Sequence, residues 1–90
     1  MRISGKIVWY DPYHASLAVP WHKAILENWL MAVSNAAWDG PQAVMEAQDV
    51  GEVTQVTRTV FQFHIADLGV TFSASISFTG NSFSIRDRRP

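Results

Sequence analysis

The sequence predicts an α+β domain in which two helices pack on one face of a small antiparallel β-sheet, in the order β-α-α-β-β-β-β. Three observations predict it. Val70–Phe78 alternates apolar and small polar residues at every position, the period of a half-buried strand. Trp21, Ile25, Trp29 and Ala32 or Val33 recur at helical spacing, with Leu26, Leu30, Val33 and Ala37 beside them, a stripe wide enough to cover a sheet. Asp67-Leu68-Gly69 and Thr79-Gly80-Asn81 carry the turn chemistry that joins strands into hairpins.

Taken in order, Ile3–Trp9 reads as a strand with Ile7, Val8 and Trp9 as its apolar end. Asp11-Pro12 stops it, because proline has no N–H and a fixed φ. Tyr10–Val19 is then a loop with at most one short turn. Pro20 suits a first helical turn, and a helix of about four turns follows. Lys23, Glu27, Asn28, Ser34 and Asn35 face water, and Lys23–Glu27 is an i,i+4 pair. A second helix starts with Asp39 as cap, Pro41 in the first turn and Gln42 completing a capping box. Ala43, Val44 and Ala47 give it an apolar side, Glu46 and Asp49 a solvated one, and Gly51 ends it. Val53–Thr57 and Thr59–Ile65 are strands. The latter sets Phe61, Phe63 and Ile65 against Val60, Gln62 and His64. After Val70–Phe78, Phe83-Ser84-Ile85 returns with Phe83 and Ile85 inward. The basic tail Arg86-Asp87-Arg88-Arg89-Pro90 reads as a frayed terminus.

Ninety residues without repeat or linker make one domain, residues 1–90. A charged fraction of 17% excludes a solvated, disordered chain. The formal net charge of −1 argues against a domain that binds nucleic acid chiefly through phosphates. The absence of cysteine removes disulfides, thiolate zinc sites, Fe–S clusters and cysteine nucleophiles. Met1–Lys6 lead into no apolar run of signal length, and no stretch has the length of a membrane span, so the expected location is cytoplasmic with no membrane partner. His14 and His22 have no third ligand at metal spacing, and no glycine-rich phosphate loop occurs. Neither metal nor cofactor is expected.

Two groups of residues carry possible chemistry. The polar sheet face holds Arg58, Gln62, His64, Thr71, Ser73, Ser75, Ser77, Ser82, Ser84 and Arg86. There His64 is a candidate general acid or base, and Arg58 and Arg86 candidate phosphate ligands. A solvated sheet face is the plainer reading. The aromatic group Trp9, Tyr10, Tyr13 and Trp21 supplies residue types favoured as interface anchors. Trp9 and Trp21 are expected to pack the strand-to-helix corner and to leave Tyr10 and Tyr13 exposed.

The middle of the chain resembles the HigB branch of the RelE-type toxins, which are ribosome-dependent mRNA interferases. The likeness lies in two tryptophans nine apart, Trp29-Leu30-Met31-Ala32-Val33-Ser34-Asn35-Ala36-Ala37-Trp38, and in the link Asp39-Gly40-Pro41-Gln42-Ala43-Val44. It extends to the strand Val60-Phe61-Gln62-Phe63-His64-Ile65, the hairpin residues Ile76-Ser77-Phe78 and Ile85-Arg86, and the start Met1-Arg2-Ile3-Ser4. The resemblance implies a RelE-like α+β fold. Val70-Thr71 stand where the family usually places a Tyr-Arg pair, and the family's Thr-His and Tyr beyond the last strand have no counterpart. Two readings follow. One is a non-catalytic protein-binding module on a RelE/HigB-like scaffold, of the kind phages and mobile elements carry to inhibit or regulate a host or defence complex; an anti-CRISPR protein is an example. Its binding candidates are Trp9, Tyr10, Tyr13, Arg86, Arg88 and Arg89. The other is a working toxin of a toxin–antitoxin pair, an mRNA endoribonuclease that uses His64, Arg58, Arg86 or Arg88. Its partners would be an antitoxin and the RNA–ribosome complex.

Overall fold

The computed structural model of the chain describes residues 1–90, with Ile7 described by its backbone alone. Eight elements follow one another: β1 (Arg2–Ser4), α1 (Lys6–Ser16), α2 (Pro20–Asn35), α3 (Pro41–Glu46), β2 (Glu52–Gln55), β3 (Val60–Ile65), β4 (Val70–Ser77) and β5 (Ser82–Arg89). The strands form one sheet in the order β1-β5-β4-β3-β2. The three pairings among β2, β3, β4 and β5 are antiparallel, whereas the short edge strand β1 runs parallel to β5. The class is the predicted α+β, with one more helix than predicted and a mixed sheet.

The alternation of β4 buries the residues its period selects. Val70, Phe72, Ala74 and Ile76 are buried, and Thr71, Ser75 and Ser77 lie on the opposite face. On the buried side Trp29 of α2 stacks on Phe72, with centroids 4.9 Å apart and planes at 25°. It meets Phe63 and Phe83 edge-on. Its indole N–H donates to the carbonyl of Val50 at 2.9 Å, so one side chain ties α2 to both the sheet and the segment after α3. The buried stripe of α2 is Leu26, Trp29, Leu30 and Val33. At 100° per residue Trp21 sits about 130° away from the centre of that stripe. It is accordingly 65% exposed rather than packed in the corner.

The N-terminal region departs most from expectation. The predicted strand Ile3–Trp9 stops at Ser4, and the predicted loop Tyr10–Val19 is largely the helix α1. Gly5 turns the chain off the sheet in a left-handed conformation with φ of 76°, where a Cβ would lie 2.5 Å from the carbonyl oxygen of Ile85. Pro12 does not stop α1. Its missing N–H withdraws the helix bond from the Val8 carbonyl, and Val8 is 84% exposed, so water can serve that carbonyl. Trp9 and Tyr13, one turn apart, reach the same Phe72 ring, with centroids 4.8 and 6.1 Å from it.

Four smaller departures follow. The N-cap of α3 is Gly40, in extended conformation and directly before Pro41, so Asp39 stands one residue too early to cap. Gln42 donates to Glu46 at 2.9 Å instead of closing a capping box. That helix ends at Glu46, and Gly51 serves β2 instead: its φ is 89°, and a Cβ there would lie 2.5 Å from the carbonyl oxygen of His64. β2 stops at Gln55 because the amides of Val56 and Thr57 both turn to the Val60 carbonyl, while the Thr57 hydroxyl accepts from the amides of Thr59 and Val60. Finally, the expected frayed tail is strand. β5 pairs with β4 as far as Thr71–Arg89.

Candidate functional site

One irregularity decides where the arginines go. Ala74 pairs with Ile85 but Ser73 pairs with Asp87, so Arg86 is an additional residue opposite the Ser73–Ala74 step. The bulge reverses the phase of the strand beyond it. Asp87 and Arg89 join the open polar face beside Ser73 and Thr71, and Arg88 falls on the helix-covered face opposite Phe72. There its guanidinium carbon lies 4.1 Å from the centroid of the Tyr13 ring. Trp9, Tyr13 and Arg88 thereby line one open cavity of about 320 Å³, together with Val8, Pro12 and Ser16. Tyr13 is only 7% exposed, against the expectation that it projects into solvent. Burial pushes its phenol pKa above the ordinary tyrosine value, and the neighbouring Arg88 charge partly offsets that. The buried Trp9 indole N–H has no hydrogen-bond acceptor among the described residues. Its ring is held instead by Phe72 and by T-shaped contacts with Tyr10 and Trp29.

Tyr10, the remaining aromatic candidate, belongs to a different cluster. Its ring stacks on His14 at 4.9 Å, with the Lys6 amine 4.9 Å from its centroid. Its hydroxyl donates to Glu27 of α2 at 3.4 Å, and His14 Nε2 lies 2.9 Å from the same carboxylate oxygen. The group clasps α1 to α2. Burial raises the Tyr10 phenol pKa, and the charge and hydrogen bond of Glu27 and the charge of Asp11 raise it further.

The open face is built largely as predicted. Gln62 pairs with Ser73, Ser75 with Ser84 and Ser77 with Ser82, and β1 adds Arg2 and Ser4 at the edge. One row across it reads Arg89, Thr71, His64, Glu52. His64 Nδ1 lies 3.0 Å from the Thr71 hydroxyl, which orients an exposed imidazole. Beside His64 opens a cavity of about 410 Å³ whose rim carries Asp49, Glu52 and Asp67. Three carboxylates there disfavour a phosphate. The four candidate nuclease residues do not converge. Arg88 is on the other face from His64, Arg58 lies in the β2–β3 turn at the far end of β3, and Arg86 occupies the bulge.

Val8, Pro12 and Ser16 also line the cavity, although the local sequence pattern puts Val8 in a strand and Pro12 and Ser16 in a loop. The signal that finds them is the pair of helical spacings Trp9–Tyr13 and Tyr10–His14, which override Pro12. Among the described residues, no group of three or more His, Asp or Glu could hold a metal ion, and no helix is long and apolar enough to cross a membrane. No family model, no curated protein and no solved structure matches the chain.

Proposed function

We propose that this chain is a non-catalytic protein-binding module on a RelE/HigB-like scaffold, an inhibitor or regulator of a larger host or defence complex. Anti-CRISPR proteins carried by phages are one form such a module takes. The observation that carries this reading is the meeting of Trp9, Tyr13 and Arg88 around one cavity. Aromatic and arginine side chains held rigid at the rim of a pocket are the usual anchors of a protein interface. The dispersal of His64, Arg58, Arg86 and Arg88 over two faces and both ends of the sheet supports it further, since cleaving RNA needs a base, an acid and cations around one phosphate.

The alternative, an mRNA interferase toxin, draws on the Thr71-oriented His64, with Arg89 on the other side of Thr71 in the same row. Induced expression, with growth and mRNA integrity followed, tests the pair. The binding module leaves bulk mRNA intact, and His64→Ala behaves as wild type. Growth arrest with mRNA cleavage by wild type, lost in His64→Ala, would replace the binding reading with the interferase.

A further inference from the structure

The edge of the sheet beside the cavity is only partly covered. β1 pairs with Ser82, Phe83 and Ser84, and the chain then turns off the sheet at Gly5, whose φ is 76°. β5 continues to Arg89. Among the described residues, nothing pairs with the outer side of Arg86–Arg89, so a short row of backbone N–H and C=O groups faces outward there. A groove accompanies this edge. The cavity between α1 and Arg88 is continued by a second, of about 430 Å³, lined by Ile3, Ser4, Gly5, Lys6 and Val8, and Val8 borders both.

We propose that Arg86–Arg89 is the docking strand for an acidic, extended segment of a partner protein. The segment adds to the sheet in line with β1 and sets an apolar side chain into the cavity between α1 and β5. The inference rests on the protein-binding reading above and names its partner by chemistry. Charge sets the acidic character. Arg86, Arg88 and Arg89 outnumber Asp87 by two within four residues, whereas the chain as a whole carries −1. Period sets the pattern. A residue lying beside Arg88 points to the helix side, where Trp9, Tyr13 and the exposed Val8 wait. Its two neighbours point to the open face, one beside Arg89 and one beside Asp87, so the acidic neighbour is the one at Arg89, where it competes with Asp87 3.8 Å from that guanidinium. Arg88 is already stacked on Tyr13 on the helix side, so the carboxylate it can take belongs to the residue two positions from the apolar one, on the same face, with little rotamer entropy left for Arg88 to lose. Charges on an edge strand also discourage indiscriminate pairing, and the groove distinguishes this edge from a merely guarded one. A polyanion such as single-stranded RNA would satisfy the arginines but leave the backbone groups and the apolar cavity unused.

The test is selection of a random dodecapeptide display library on the intact protein, followed by fluorescence anisotropy of the selected peptides. The expected peptides are acidic overall and carry an apolar residue with an acidic residue next to it on one side only. Arg88→Glu and Val8→Asp, both at exposed residues, each weaken them at least tenfold, and N-methylation of the peptide backbone next to the apolar residue does the same. If peptides are selected that carry no acidic excess and bind both variants as wild type does, the edge proposal is overturned and the protein-binding reading stands. Retention of no peptide above a control protein overturns the edge proposal. If that accompanies mRNA cleavage on induced expression, the protein-binding reading falls with it. A selected peptide displaced equally well by a single-stranded oligonucleotide of the same charge shows a polyanion patch, and also overturns the proposal.

Discussion

Ile76 is 1% exposed, at the centre of the apolar side of β4, while the adjacent Ser75 is half-buried on the open side between Ser84 and Val60. Exchanging Ile76 for serine removes buried methylenes and leaves a hydroxyl without a partner. Ile76→Ser is therefore expected to lose about 2–4 kcal/mol of unfolding free energy, whereas Ser75→Val changes it by less than roughly 0.5 kcal/mol. Urea denaturation of the two variants checks this, and equal stability of Ile76→Ser and wild type would mean that the faces are reversed. Glycine is required for two separable reasons at Gly51 and for one at Gly69. Both have positive φ, 89° and 63°, but only at Gly51 would a Cβ strike backbone, the carbonyl oxygen of His64. Gly69→Ala should cost about 1 kcal/mol, the left-handed penalty alone. Gly51→Ala should cost about 1–3 kcal/mol more, because β2 must move away from β3. The difference between their urea midpoints measures the contact.

At the level of elements, α1 is held by Tyr13 on one side and Tyr10 on the other, and both phenols have raised pKa values in the folded state. A raised value means that the native protein keeps the proton at a pH where the unfolded chain has released it. The associated stability is complete below the ordinary tyrosine value of 10.0 and is lost as pH climbs through the higher folded values. Comparing urea midpoints at roughly pH 9 and pH 11 should show a drop in wild type that Tyr10→Phe and Tyr13→Phe each reduce, and an unchanged slope in both would show that α1 does not depend on these phenols. The elements also differ in how far they could be read in advance. β4 and α2 were legible because period alone fixes their faces. α1 was not, since Pro12 is a strong local stop signal and only the packing of Trp9 and Tyr13 on Phe72 outweighs it. Arg88 was named for its charge, but its place over Tyr13 depends on a bulge created by pairing with β4, which no local pattern encodes. The site was thus legible in its residue types and illegible in its geometry.

Across the whole molecule, order should fall off from the centre of the sheet. β3 and β4 have neighbours on both sides and carry the fully buried Phe61, Phe63 and Phe72, whereas β2 and the outer side of β5 are edges. Amide hydrogen exchange is expected to be slowest within Phe61–Ile65 and Phe72–Ile76 and fastest in Glu52–Gln55 and in the outward amides of Arg86–Arg89. Comparable protection of Arg86–Arg89 and β4 would mean that the edge is already covered. The parallel pairing of β1 has a consequence for how the molecule is made. Ile3 lies beside Phe83, eighty positions away. Synthesis runs from the N-terminal side onward, so β1 leaves the ribosome before β5 and must await it. Until β4 and β5 follow, Trp9 and Tyr13 have no Phe72 to cover them, and the nascent chain presents bare aromatic rings to its surroundings. Birth order and assembly order run in opposite directions, and the waiting segment is one that a chaperone would be suited to hold.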